Sequence, residues 1–176
     1  MCAALRLGPA RTRVVAVGPV AEFKKPTNTG RLLPLMLEGA ELRPRGQIGA
    51  PLDLTGLALP GRRLLLLDPT APTLLAPDPL PATLIVADGS WRQARRLMNR
   101  CRGLDVALRV RLPEGAPTRY RLRSPRSLDK VSTIEAVARA LGVLEGPEQE
   151  ERLERIFDEL VTRTLRARAN SLRTNA

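Results

Sequence analysis

The chain of 176 residues contains no histidine and only two cysteines, Cys2 and Cys101. The first absence removes the commonest general base, the Ser-His-Asp and Cys-His arrangements and most metal-ligand sets. The second leaves too little sulfur for a disulfide framework or a cysteine zinc site, so no bound metal is expected. Aromatic residues make up 2% of the chain, with one tryptophan, one tyrosine and two phenylalanines. Apolar runs are short: residues 64–67 and 84–87 fall far below the length that spans a bilayer. The opening "MCAALRLGPARTR" is basic but lacks a sustained apolar segment, so no signal peptide is expected. A cytoplasmic protein with no membrane partner is the expectation. Walker and GxGxxG phosphate-binding patterns are also missing. Any chemistry must therefore rest on carboxylates, backbone groups and a bound cofactor.

What is present points to one globular domain. Hydrophobic residues reach 43%, enough for a core in a chain of this length. The net charge is +11, and the excess is concentrated. Residues 88–130 carry twelve basic against four acidic side chains, nearly all of the basic ones arginine. A concentrated arginine excess suits a polyanionic partner such as nucleic acid, and a merely solvated surface is the plainer alternative.

The hydrophobic pattern alternates between strands and helices. "TRVVAV" (12–17), "RRLLLLD" (62–68) and "ATLIVAD" (82–88) read as strands, the last two as continuous apolar runs covered on both faces, as in a parallel sheet. "PTNTGRLLPLML" (26–37) reads as a turn and a short helix limited by Pro34. Residues 42–60 read as irregular, and the proline-rich 69–81 as loop. "VALRVRL" (106–112) alternates like a strand with one basic face. Helices are expected over 91–101, with Trp91, Ala94, Leu97, Met98 and Cys101 on one face, over 132–144, and over about 147–168, burying Leu153, Ile156, Phe157, Leu160 and Leu165. The result is a single α/β domain over residues 13–170, between tails at 1–12 and 171–176.

Three short stretches could carry chemistry, and each also has a purely structural reading. Asp88-Gly89-Ser90-Trp91 lies where a strand ends and a helix begins, at the sheet edge that binds ligands in open α/β folds. Structurally, Asp88 or Ser90 caps the helix and Trp91 packs in the core. Asn28-Thr29-Gly30-Arg31 could present amides and a guanidinium to an anion, or form a turn and cap. Ser132-Thr133-Ile134-Glu135 has the spacing of a capping box. "YRLRSPR" (120–126) mixes Tyr120 with arginines, which could stack on and neutralise nucleic acid.

The order of these motifs is more telling than any one of them. "KKPTNTGRLLPL", "LIVADGSWRQARRL", "YRLRSP" and "STIEAVARAL" together resemble the DTW-domain family, over about residues 13–165. Ser90 replaces the threonine of the family's Asp-Thr-Trp motif and keeps its hydroxyl. The chain departs from many members by lacking an N-terminal cysteine cluster, and a histidine ahead of Glu22 in "GPVAEF". The family is similar to tRNA-uridine aminocarboxypropyltransferases. The resemblance implies a SPOUT-like, knotted α/β fold with a mostly parallel sheet flanked by helices. It also implies transfer of the 3-amino-3-carboxypropyl group of S-adenosyl-L-methionine to N3 of a tRNA uridine.

On that resemblance Asp88, Ser90 and Trp91 are the candidate catalytic group. Asp88 would act as general base, or instead orient the uridine or balance the sulfonium charge. Asn28, Thr29, Gly30, Arg31, Leu67, Asp68, Pro69, Ser132, Thr133 and Glu135 are candidate cofactor contacts. Arg92, Arg95, Arg96, Arg121 and Arg123 are candidates to hold tRNA. A methyltransferase of the same fold and a non-catalytic RNA-binding protein remain the competing classes.

Overall fold

The computed structural model describes residues 10–46, 48–49, 51–101, 103–118 and 131–174, with side chains through 167 except that of residue 100. Five strands form one all-parallel sheet: β1 (Arg13–Pro19), β2 (Glu41–Arg45), β3 (Arg63–Leu67), β4 (Ala82–Ala87) and β5 (Leu108–Val110). Their spatial order is β2-β1-β4-β3-β5, which places β1 and β4 side by side near the centre. Helices α1 (Val20–Phe23), α2 (Leu33–Met36), α3 (Trp91–Arg100), α4 (Thr133–Glu145) and α5 (Pro147–Thr174) complete a single α/β domain.

The apolar runs alternate between two cores, as the two-residue period of a strand requires. Val14, Ala16, Leu65, Leu67, Leu84 and Val86 face α4 and α5. Val15, Val17, Leu66 and Ile85 face α3, through Leu97 and Met98, with Leu57 and Leu104 beside them. Each fully buried Leu or Ile contributes about 1.5–3 kcal/mol. The central strands are thus covered on both faces, which explains runs with no polar alternation.

Several expectations need correction. Residues 42–60 are not wholly irregular, because β2 pairs with β1 from Glu41 onward. Pro44 hid this strand, and it is tolerated because β2 lies at the sheet edge, where a missing N–H breaks no ladder. The short helix expected at Pro34 is α2, four residues long, with Pro34 in its first turn, where a proline lacks no needed donor. Val106, read as the start of a strand, is 71% exposed, and β5 begins only at Leu108. Leu165 is 36% exposed, not buried. At 1.5 Å per residue α5 runs about 42 Å against about 20 Å for its partner α4, so it extends well beyond that helix. Val161 is buried on α5 instead.

The amino end of the sheet is tied as well. Glu145, at the end of α4, accepts from the backbone N–H of Arg11 at 3.1 Å and of Thr12 at 2.6 Å. Among the described residues, no helix is long and apolar enough to cross a membrane.

Candidate active site

β4 ends at Ala87, and the next residue, Asp88, is only 2% exposed although it lies at the carboxyl edge of the sheet. Its backbone N–H donates to the Val17 carbonyl at 2.8 Å, extending the β1–β4 pairing by one residue. Gly89 follows with φ +136°, a backbone angle that side chains disfavour, and it turns the chain from β4 into α3.

A buried carboxylate needs donors. Asn28 Nδ2 donates to Asp88 Oδ2 at 2.5 Å, and the Thr133 hydroxyl donates to Oδ1 at 2.6 Å. Both donors are neutral, and among the described residues Asp88 has no ion pair. Asn28 is fixed in turn: its Oδ1 accepts from the Arg31 N–H at 2.8 Å, and its own N–H donates to Lys25. Two glycines permit the approach. A Cβ on Gly30 would lie 2.5 Å from Asp88 Oδ1, and one on Gly18 would lie 2.6 Å from the Asp88 carbonyl oxygen. Three motifs distant in sequence, at 28–31, 88–91 and 132–135, therefore meet at one carboxylate.

Helix geometry adds donors at the same edge. Ser90 caps α3 by accepting from the Gln93 N–H at 3.4 Å, while its own N–H donates to Gln93 Oε1 at 2.7 Å. Ser132 caps α4 in the same way, with Glu135 Oε2 accepting from the Ser132 N–H at 2.7 Å. α3 and α4 lie on opposite faces of the sheet, and both start at its carboxyl edge. The first N–H groups of a helix have no partner within it and favour anions.

The remaining candidates separate by what they touch. Thr29 is 7% exposed, and among the described residues its hydroxyl has no hydrogen bond. Arg31 is exposed, and its guanidinium reaches the Pro26 carbonyl at 3.4 Å. Leu67 is buried in the core and Pro69 is exposed. Asp68 is occupied in shaping its loop: Oδ1 accepts from the Thr70 N–H and hydroxyl, and Oδ2 pairs with Arg109 at 3.2 Å. Glu135 is buried, holding the Ser132 N–H and the Thr118 hydroxyl.

Trp91 is 37% exposed, which goes against the structural alternative that packs it in the core. It occupies the first position of α3, beyond the end of the sheet, and the buried part of that helix begins at Leu97. Arg92, Arg95 and Arg96 are exposed on the same helix. Arg121 and Arg123, with the rest of "YRLRSPR", lie outside the described residues.

Some contributors are not evident in the sequence. Arg109, read as part of a basic strand face, instead binds Asp68 and the Met98 carbonyl at 2.6 Å, joining β5 to the last turn of α3. Gly18 directly follows an apolar run, and that position is the only signal of a close backbone approach. No group of three or more metal-ligating side chains occurs among the described residues.

The fold is similar to the structure of the SAM-dependent rRNA:acp-transferase Tsr3 from Vulcanisaeta distributa, with 26% identity and a TM-score of 0.52, covering 82% of this chain and 72% of that one. No curated protein matches the chain at the level of sequence. The model of the DTW domain matches residues 1–165, nearly the whole length, and the chain belongs to the DTW-domain family.

Proposed function

We propose that this protein transfers the 3-amino-3-carboxypropyl group of S-adenosyl-L-methionine to N3 of a tRNA uridine, on a SPOUT-like, knotted version of the parallel α/β fold. The observation that carries this reading is the meeting of three ordered motifs at the buried Asp88 carboxylate, at the ligand-binding edge of the sheet. The similarity to an rRNA:acp-transferase supports the reaction type, and the four-motif resemblance to tRNA-uridine enzymes supports the substrate.

The residues present fit such a cofactor. Asp88 joins the turn at Asn28–Arg31 to the start of α4, the two segments that would border the cofactor. The Thr29 hydroxyl, which makes no helix-cap bond, suits a ribose or amino-acid group. The helix starts at Ser90 and Ser132 suit a carboxylate. When bound, S-adenosyl-L-methionine supplies the transferred group: its γ-carbon–sulfur bond breaks as the bond to N3 forms, the electron pair stays on the sulfur of 5′-methylthioadenosine, and N3 gives up its proton.

The protein's own task is to position the reactants, since three carbons around a sulfonium are activated alike. The turn at Asn28–Arg31, the loop after Leu67 and the start of α4 fix one pose. The exposed Trp91 offers a surface for a base, and Arg92, Arg95 and Arg96 meet the phosphate backbone.

The test is product analysis with unmodified tRNA and, separately, ribosomal RNA. Release of 5′-methylthioadenosine with an aminocarboxypropyl-uridine in tRNA is the expected result. S-adenosylhomocysteine would instead indicate methyl transfer, and modification of ribosomal RNA alone would overturn the tRNA assignment. Failure to bind the cofactor would leave an RNA-binding protein.

A further inference from the structure

The buried carboxylate of Asp88 has both oxygens occupied by neutral donors that are themselves held in place, and it is 2% exposed. Each oxygen keeps a second lone pair, but at that burial a substrate proton reaches it only if a neighbouring segment moves aside. A general base must come within hydrogen-bond reach of the proton that it takes. Here the oxygens face Asn28, which follows β1, and Thr133, at the first position of α4, and not open solvent.

We infer that Asp88 is a tie rather than a base, and that Asn28 and Thr133 are positioning residues that act through it. The tie holds the turn after β1, the end of β4 and the start of α4 in one register, and this sets the shape of the proposed cofactor site. The inference rests on the transferase reading for its consequence but not for its geometry. In the transfer itself, water or hydroxide takes the N3 proton as the N3–carbon bond forms and the electron pair moves to sulfur. Gly30 is part of the same device, because any side chain there would occupy the space of the carboxylate. The Glu135–Ser132 box supports it from behind by fixing the turn that aims Thr133.

The two roles respond differently to substitution. Asp88→Asn keeps the shape, and its amide can still accept from Asn28 while donating to the Thr133 hydroxyl. A tie survives this change and a base does not. Thr133→Val keeps the carboxylate but removes one anchor, and Thr133→Ser restores the hydroxyl.

The experiment measures cofactor affinity by calorimetry, and single-turnover release of 5′-methylthioadenosine at saturating cofactor, for the full chain with tRNA. For a tie, Asp88→Asn stays within about 10-fold of the wild-type turnover rate. Thr133→Val and Asn28→Ala weaken cofactor binding about 10-fold or more, and Thr133→Ser recovers the affinity. A loss of about 10²–10⁴-fold in saturated turnover for Asp88→Asn, the usual cost of removing a general base, would overturn the inference. If the wild-type protein neither binds the cofactor nor transfers, the transferase reading fails, and thermal unfolding then decides the tie alone. Thr133→Val should lower Tm in the wild-type background and much less in the Asp88→Asn background, where no buried charge is left short of a donor. Equal shifts in both backgrounds would refute the tie.

Discussion

Replacing Gly30 with alanine adds one methyl group where the Asp88 carboxylate already stands. The new Cβ would stand 2.5 Å from Asp88 Oδ1, 2.6 Å from Cγ and 3.1 Å from Oδ2, all inside van der Waals contact. Asp88 has nowhere to swing, since it is buried and bonded through both oxygens. If the carboxylate moves, it forfeits hydrogen bonds to a charged group worth about 1.5–3 kcal/mol each. If the backbone moves, the cost is that of overpacking, about 1–3 kcal/mol. Either route gives a loss of roughly 2–4 kcal/mol, combining those ranges. At about 2–4 °C per kcal/mol for a chain of this size, Tm should fall by roughly 4–16 °C. Scanning calorimetry reads this directly. Gly39→Ala is the control: Gly39 has φ +72° and nothing within 4 Å, so it carries only backbone strain of about 1–2 kcal/mol. A Gly30→Ala protein that melts with the wild type would refute the close packing of the two motifs.

Trp91→Ala should cost about 1 kcal/mol or less, as a half-exposed residue outside the core, whereas Phe157→Ala should cost about 3–5 kcal/mol, because Phe157 is fully buried; denaturant melts compare them. Replacing Arg95 and Arg96 together with alanine should weaken tRNA binding and flatten its dependence on salt by roughly two units of logarithmic slope, without changing cofactor affinity, and titrations at several salt concentrations test it. Glu41 titrates below its ordinary 4.5: partial burial pushes it up, but the bonds and charges of Arg13 and Arg43 outweigh that. Its contribution to stability is therefore complete above pH 4.5 and lost as pH falls through the lowered value, so Glu41→Gln should destabilise at neutral pH and have no effect in strong acid, read as Tm against pH. The purified protein should carry no stoichiometric zinc and should keep its Tm in chelator, which elemental analysis and a melt will check.

The central strands and long helices are legible in the sequence because burial on both faces leaves unbroken apolar runs, and a helix packed on one side leaves a periodic stripe. The edge strand β2 is not, since Pro44 and neighbouring charges erase its pattern. The capping boxes at Ser90 and Ser132 are local events and can be read from spacing alone. Trp91 is misleading for a physical reason: a large aromatic at a helix start scores as core, and only the position of the sheet's end shows that it projects beyond it. The Asp88 cluster needs tertiary structure altogether. Local pattern indicates that Asn28, Asp88 and Thr133 are polar residues at turns, but not that they share a site.

That cluster also bears on how the protein comes into being. Its two side-chain bonds span 60 and 45 residues of chain, and every strand pairing around it is parallel. Parallel pairings require a crossover before they return any energy, so such sheets form late and slowly. Thr133 enters only after β1 and β4 are made, and α4 is seated by its packing on α5 near the end of the chain. On a growing chain Asn28 can reach Asp88 once β1 and β4 have paired, but the second bond to this carboxylate waits for α4.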